Sequence, residues 1–237
     1  MFLTRIPVPA WVGYSDAQLS QSVRYFPLVG LLVGALAALV YLLAAIVFPH
    51  PVAIFLGVIV TVIVTGALHE DGLADACDGF GGGRSRDDVL RIMKDSHIGA
   101  YGAIGLMLIL GIKIVTLCSL APNLVPCVLI IGHAVSRLAA VVVMFAMPYA
   151  RGADGKANAL AAGFSSSTLL ISAALGLMPV LFMEHILFPA SILALLVAVV
   201  LRKYFLHRIG GYTGDCLGAT QQITEVALYL SFLAIAR

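Results

Sequence analysis

Long apolar runs restrict what this chain can fold into. About seven of them approach the roughly 20 residues that a helix needs to cross the hydrocarbon core of a bilayer. They lie at about residues 26–48, 52–69, 98–121, 124–147, 168–183, 186–202 and 217–236. Only Glu184 and His185 divide the fifth run from the sixth, so six spans is the alternative. The pattern predicts an all-α, polytopic bundle of transmembrane helices.

Composition agrees with the bilayer as the surrounding medium. Hydrophobic residues make up 61% of the chain and charged residues 11%, against about 45–50% and about 25% in soluble domains. We therefore predict one integral membrane domain over 1–237, with residues 1–25 lying at the membrane surface; a disordered tail is the alternative for this segment. The net charge is +2 and no basic block is present, so nucleic acid is not an expected partner. The four cysteines lack C-x-x-C spacing and are interpreted as packing residues.

Cationic residues indicate the orientation, because Lys and Arg are retained on the cytoplasmic side of a membrane. In the seven-span arrangement nearly all of them fall on one side. These are Arg5, Arg24, Arg84, Arg86, Arg91, Lys94, Arg151, Lys156, Arg202, Lys203 and Arg208. The connections on the other side are short turns. We predict a cytoplasmic N-terminus, a C-terminus outside, and a functional site on the cytoplasmic face of the inner membrane.

An acidic segment follows the second apolar run, and because no turn signal precedes Gly79 it is predicted to continue the same helix. On a helix, Asp71, Asp75 and Asp78 fall within an arc of about 60°, and Glu70 flanks that arc. Carboxylates this close repel one another strongly near a membrane, where the dielectric constant is lowered. A divalent cation removes the conflict, and hard oxygen ligands favour Mg²⁺. The pattern predicts Glu70, Asp71, Asp75 and Asp78 as metal ligands; a solvated acidic helix end is the alternative.

Cations near this segment suit an anionic ligand. Arg84 and Lys94 follow a glycine triplet, and a diphosphate can lie between them and a carboxylate-bound metal. Arg151 and Lys156 stand in a later glycine-containing loop that can wrap an anion or follow the positive-inside rule. Arg137 lies inside an apolar run and must face the bundle interior, to bind either a buried acid or a phosphate.

The last apolar run begins with polar residues. Asp215, Gln222 and Glu225 are too polar to face lipid, so this helix is predicted to line a cavity. Asp215 could instead cap the helix. Lys113 lies inside the third run, where its long side chain can reach the membrane surface or take part in the site.

Four segments resemble the cobalamin synthase family, the adenosylcobinamide-GDP ribazoletransferases. They are residues 2–9 (FLTRIPVP), 69–83 (HEDGLADACDGFGGG), 92–102 (IMKDSHIGAYG) and 211–222 (GYTGDCLGATQQ). The resemblance implies an inner-membrane, Mg²⁺-dependent enzyme that joins adenosylcobinamide-GDP to alpha-ribazole, or to its 5′-phosphate, and releases GMP. Association of protomers, or with other enzymes of the corrinoid pathway, is left open.

The implied reaction gives roles to the charged residues. A ribose hydroxyl attacks the cobinamide-linked phosphorus, and Asp71, Asp75, Asp78 or Asp95 accepts its proton. A carboxylate-held metal and facing cations stabilise the developing negative charge. The predicted substrate-binding residues are Arg84, Lys94, Arg137, Arg151, Lys156, Asp215, Gln222 and Glu225.

Two other classes of protein fit the sequence less well. A CDP-alcohol phosphotransferase motif opens in the same way as Asp75, Asp78 and Gly79, but the Ala-Arg pair required after the glycine is missing. A cation transporter would need a polar route across the bilayer. The acidic residues instead gather at one face.

Overall fold

The computed structural model describes residues 3–7, 11–13, 15–145, 147–151, 165–182 and 187–236, and its regular structure in these ranges is helical. A 3₁₀ turn, Val23–Tyr25, joins the first two helices. The helices are α1 (Asp16–Ser22), α2 (Phe26–Ala45), α3 (His50–Thr65), α4 (Leu68–Gly82), α5 (Arg86–Ile92), α6 (Ala100–Cys118), α7 (Val125–Phe145), α8 (Ser166–Phe182), α9 (Leu187–Ile209) and α10 (Gly214–Ile235).

Several of these helices are long and apolar enough to cross a bilayer. Among the described residues there are four: α6, α7, α9 and the segment Gln18–Ala45 that contains α2. The bent pair α3 and α4 counts as a fifth if it forms one span, and α8 is apolar but only 17 residues long. The predicted polytopic helix bundle is confirmed, whereas the count of seven spans is not. The difference arises at α3 and α4, at the short α8, and at α10, whose first half is polar.

The second predicted span breaks where none was expected. α3 ends at Gly66 and α4 restarts after Ala67, with an angle of 86° between the two helices. Gly66 (φ 66°) and Ala67 (φ 58°) both have left-handed backbone, which glycine adopts freely and alanine adopts at a cost of about 1–2 kcal/mol. The prediction that the acidic segment simply continues the apolar helix was therefore wrong. The bend turns α4 away from the direction of α3.

Close helix contacts then place the polar segments side by side. α7 lies at the centre of the bundle. In its apolar 18-residue stretch, 83% of the residues are buried. α4 packs against α10 through Gly72 and Gly218. A Cβ atom added to Gly72 would lie 3.3 Å from the Gly218 Cα, and one added to Gly218 would lie 3.1 Å from the Gly72 Cα. These two glycines allow the acidic helix to lie directly against the polar start of the last helix.

Candidate active site

A cleft of about 260 Å³ opens between α4, α7 and the start of α10. One part of its lining is apolar, comprising Leu3, Phe26, Leu68, Ala140 and Leu217. The other part is polar or charged, comprising His69, Asp71, Arg137, Arg151, Asp215 and Gln221, with Tyr149 beside them. An amphipathic ligand with an apolar part and a charged part matches this division.

Asp215 and Arg151 form an ion pair in the cleft. The Arg151 Nη2 donates to Asp215 Oδ2 at 2.7 Å, and both side chains are 19% exposed. Burial raises the pKa of Asp215, while Arg151 and a hydrogen bond from Thr213 oppose that shift. Thr213, not Asp215, caps α10, because its hydroxyl accepts from the Cys216 N–H at 3.2 Å. The alternative that Asp215 serves as the cap was wrong.

Two of the four predicted metal ligands lie near this ion pair. Asp71 is exposed and lines the cleft. Asp75, one helical turn further along α4, is half-buried and close enough to Asp215, Asp71 and Arg151 to interact electrostatically with all three. Within the described part of the chain, neither the Asp71 nor the Asp75 carboxylate has a hydrogen-bond or ion-pair partner. They are acceptors available to a ligand.

Asp78, predicted as a metal ligand and proton acceptor, has a different environment. Its carboxylate is buried and accepts from the backbone N–H of Gly99 at 2.7 Å and of Gly102 at 2.8 Å. These groups lie at the N-terminus of α6, where unpaired N–H groups and the helix dipole favour an anion. Its contacts therefore indicate a cap for α6. Helix periodicity placed it on the face of Asp71 and Asp75, but α6 covers that part of the face.

Glu70, the fourth predicted metal ligand, points into the bundle. It is 6% exposed, and its Oε1 accepts from Gln222 Nε2 at 2.8 Å. Among the described residues its Oε2 has no partner. The bond joins α4 to α10 and directs this carboxylate away from the cleft. The inward orientation predicted for Gln222 is observed, and its side chain bonds to Glu70 and Lys113.

Glu225, predicted to bind substrate, belongs to a buried polar network around Lys113. The Lys113 Nζ lies 3.1 Å from Glu225 Oε1 and donates to Gln222 Oε1 at 2.7 Å. The Tyr229 hydroxyl also donates to Glu225 Oε1, at 3.0 Å, and Gln221 Nε2 donates to Oε2 at 2.6 Å. Lys113 is only 2% exposed, so the hypothesis that it reaches the membrane surface was wrong. The sequence signal for this network was Lys113, a charged residue inside an apolar helix.

Arg137 also faces the interior, as predicted, and it lines the cleft. Its Nη1 donates to the His133 carbonyl oxygen at 3.0 Å, and its Nη2 lies 3.2 Å from His69 Nε2. No carboxylate of the described residues forms an ion pair with it. The sequence left two partners open for Arg137, a buried acid or a phosphate. Direct pairing with a buried acid is absent from the described contacts.

A second, basic cavity of about 460 Å³ adjoins the cleft, and Arg151 lines both. Its other lining residues are Arg86, Leu90, Arg91, Lys94 and Ala150. Arg86 donates to the carbonyl oxygens of Ile209 and Ala150 and so fixes α5 against the end of α9 and the segment that carries Arg151. Arg86 and Arg91 were not among the predicted site residues. The sequence signal that could have identified them is their position in a stretch rich in basic residues.

Two further predicted residues lie apart from the cleft. Arg84 is exposed and lines neither cavity. Asp95 is also exposed, and hydrogen bonds from the His97 side chain and backbone hold its pKa below the usual range. Lys156 lies outside the described residues. Among those described, no group of three or more His, Cys, Asp or Glu side chains is arranged to hold a metal ion.

A helical membrane bundle with an amphipathic charged cleft beside a basic cavity has the features of a membrane enzyme that acts on a charged small molecule. A family model described as Cobalamin-5-phosphate synthase matches residues 1–233. A relative named adenosylcobinamide-GDP ribazoletransferase, from Shewanella frigidimarina, is 45% identical, covering 99% of this chain and 92% of its own length. Proteins of the same name from Leptothrix cholodnii (45% identical) and Ralstonia pickettii (44%) each align over 98% of this chain and 92% of their own length. No solved structure matches.

The chain belongs to the cobalamin-5-phosphate synthase family. The predicted class, a transferase of cobalamin biosynthesis, is thereby confirmed. None of these matches favours the CDP-alcohol phosphotransferase or the cation transporter.

Proposed function

We propose that this protein is a Mg²⁺-dependent adenosylcobinamide-GDP ribazoletransferase whose reaction takes place where the cleft meets the basic cavity. Its acceptor is alpha-ribazole or alpha-ribazole 5′-phosphate. A ribose hydroxyl oxygen forms a new bond to the cobinamide-linked phosphorus, and the bond from that phosphorus to the bridging oxygen breaks. GMP leaves with that oxygen. The observation that carries this proposal is Arg151, which lines both cavities and pairs with Asp215.

The two cavities suit the two substrates. Arg91 and Lys94 offer cations to the phosphates of the guanosine diphosphate, with Arg151 nearest the cleft. The apolar lining of the cleft, including Phe26 and Leu217, suits the aromatic base of the ribazole. Arg151 then lies beside the phosphorus at which charge develops.

Asp71 and Asp75 would hold the magnesium ion. Mg²⁺ in phosphoryl-transfer sites is commonly bound by one or two carboxylates together with water and substrate phosphates. Asp71 and Asp75, one turn apart on α4 and without partners among the described residues, are two such carboxylates. When bound, the ion would neutralise charge on the diphosphate oxygens and on the leaving GMP.

A carboxylate of the cleft accepts the hydroxyl proton. Among the described acidic side chains, Asp71 and Asp215 line it, and we assign this role to Asp215 because Asp71 would hold the metal ion. Asp78 is occupied at the start of α6, and Asp95 lies outside the cleft lining. Arg151 restrains Asp215 at 2.7 Å and so fixes the direction of its carboxylate.

Purified protein in detergent, given adenosylcobinamide-GDP and alpha-ribazole 5′-phosphate, is expected to release one GMP for each corrinoid product formed. Chromatography measures both products, with Mg²⁺ present or replaced by a chelator. Turnover is expected only with Mg²⁺. GMP released without acceptor would indicate a hydrolase, and full turnover in chelator would remove the metal from the proposal.

The site is proposed to face the cytoplasm, in the inner membrane. In a cysteine-free background, Asp87→Cys on α5 should resist a membrane-impermeant thiol reagent added to intact cells, because Asp87 lies on the cation-rich side. Asn123→Cys, in the turn between α6 and α7, should react and serves as the matched control. Labelling of Asp87→Cys but not Asn123→Cys would invert the orientation.

A further inference from the structure

The closed end of the cleft is cationic. Its polar side chains are Arg137 (1% exposed), Gln221 (1%) and His69 (7%), which lie among apolar lining residues that are also buried, such as Phe26 and Ala140. Asp71 is exposed, and the side chains of Arg151 and Asp215 are each 19% exposed. The cleft thus runs from an open end, where the proposed chemistry takes place, to a buried end with a guanidinium.

The positive charge of Arg137 has no bonded anion in the described part of the chain. Of the two nearby acids, Glu225 lies 3.1 Å from Lys113, and Glu70 accepts from Gln222. Both act on Arg137 only as more distant charges. The direct partners of its Nη groups are the carbonyl oxygen and imidazole of His133 and the His69 imidazole, and none of them is a carboxylate. The nearest link to an acid runs through His133, whose Nδ1 lies 3.3 Å from Glu225 Oε2. A buried cation is costly unless an anion or several good acceptors compensate it.

His69 adds a donor to this end of the cleft. A guanidinium cannot accept a hydrogen bond, so the His69 Nε2, 3.2 Å from Arg137 Nη2, is the acceptor. The ring is then neutral and carries its proton on Nδ1. Among the described residues that N–H has no partner, although His69 lines the cleft. Arg137 and His69 therefore offer a cation and an N–H group at the same end of one cavity.

We infer that Arg137 and His69 form a subsite for a phosphate monoester carried by the acceptor nucleoside. This inference rests on the proposed function. The phosphate is bound and not transferred, so no bond to it forms or breaks. Guanidinium groups bind phosphate by charge-assisted, often bidentate, hydrogen bonds. The apolar lining holds the base, and the reacting hydroxyl lies toward Asp71 and Arg151.

This arrangement predicts a preference between two acceptors. Arg137→Met should raise KM for alpha-ribazole 5′-phosphate by about 10- to 100-fold, the scale of a lost charge-assisted contact. KM for alpha-ribazole should change less than about threefold, because that acceptor has no phosphate to lose. Arg137→Lys keeps the charge without the planar fork of the guanidinium. Its KM for alpha-ribazole 5′-phosphate should lie between those of the wild type and Arg137→Met. Arg208→Met, which replaces an arginine that lines neither cavity, is the control.

Equal losses with both acceptors would overturn the inference, because they would show that Arg137 only supports the fold. Direct binding to the wild-type protein by calorimetry, without the GDP substrate, does not depend on the variant folding or on turnover. Alpha-ribazole 5′-phosphate should bind at least about tenfold more tightly than alpha-ribazole. Inorganic phosphate should compete with the former only. Equal affinities, or displacement of the phosphorylated acceptor by GMP alone, would contradict the subsite even if the enzyme turns over as proposed.

Discussion

Replacing Asp75 by Asn is expected to lower turnover by at least about 10²-fold while the protein stays folded in detergent. Asn preserves the shape of the side chain but removes the negative charge that would hold a dication. Asp75 is also close enough to Asp71 and Asp215 for their charges to repel, so the loss of one carboxylate relieves repulsion. A fall in activity without a fall in stability is therefore the expected signature. Asp71→Asn should behave in the same way.

Asp78→Asn is the matched comparison, because it makes the same chemical change three residues along the same helix. Its carboxylate accepts from Gly99 and Gly102 at the start of α6, so we expect lower thermal stability and an unchanged Mg²⁺ concentration for half-maximal activity. Asp87→Asn, whose side chain is 92% exposed, controls for a loss of surface charge. Near-normal turnover of Asp75→Asn at limiting Mg²⁺ would remove the metal from this face of α4.

The different environments of the four acidic side chains on α4 show how far the sequence could predict the site. Helix periodicity correctly predicted that Asp71 and Asp75 share a face, because both positions depend only on the helix that contains them. The environments of Asp78 and Glu70 depend on partners that are remote in sequence, at Gly99 and Gly102 and at Gln222. No local pattern predicts which carboxylate a remote helix will cover.

The same distinction applies to the fold. Apolar runs predicted a helical membrane bundle, because hydrophobicity is a property of each segment. The 86° bend after α3 was missed because it depends on left-handed backbone at two consecutive residues, of which only Gly66 favours that conformation. Arg137 could be predicted to face inward from its cost in lipid, but its pairing with His69 depends on α10, which packs against both α4 and α7.

Breaking the ion pair between Lys113 and Glu225 is expected to destabilise the protein by about 3–5 kcal/mol, the usual cost of removing one partner from a buried pair. Lys113→Met would leave Glu225, which is 1% exposed, with hydrogen bonds but without its nearest cation. Glu225→Gln would instead leave Lys113 without an anion. Each single variant should unfold at a lower temperature in detergent, and each should show a faster loss of activity on heating.

The double variant Lys113→Met with Glu225→Gln separates the charge pair from ordinary packing. Removing both charges leaves neither uncompensated, so its loss of stability should be smaller than the sum of the two single losses, by a coupling free energy of about 1–3 kcal/mol. Gln221 and Tyr229 both donate to the side chain at position 225, and the amide oxygen introduced by Glu225→Gln can still accept a hydrogen bond. Purely additive losses would contradict the pairing.

The double variant should also retain turnover at low temperature, since neither Lys113 nor Glu225 lines the cleft. An inactive but stable double variant would show that the charges of this network act on the reaction itself, through Gln222 and Glu70.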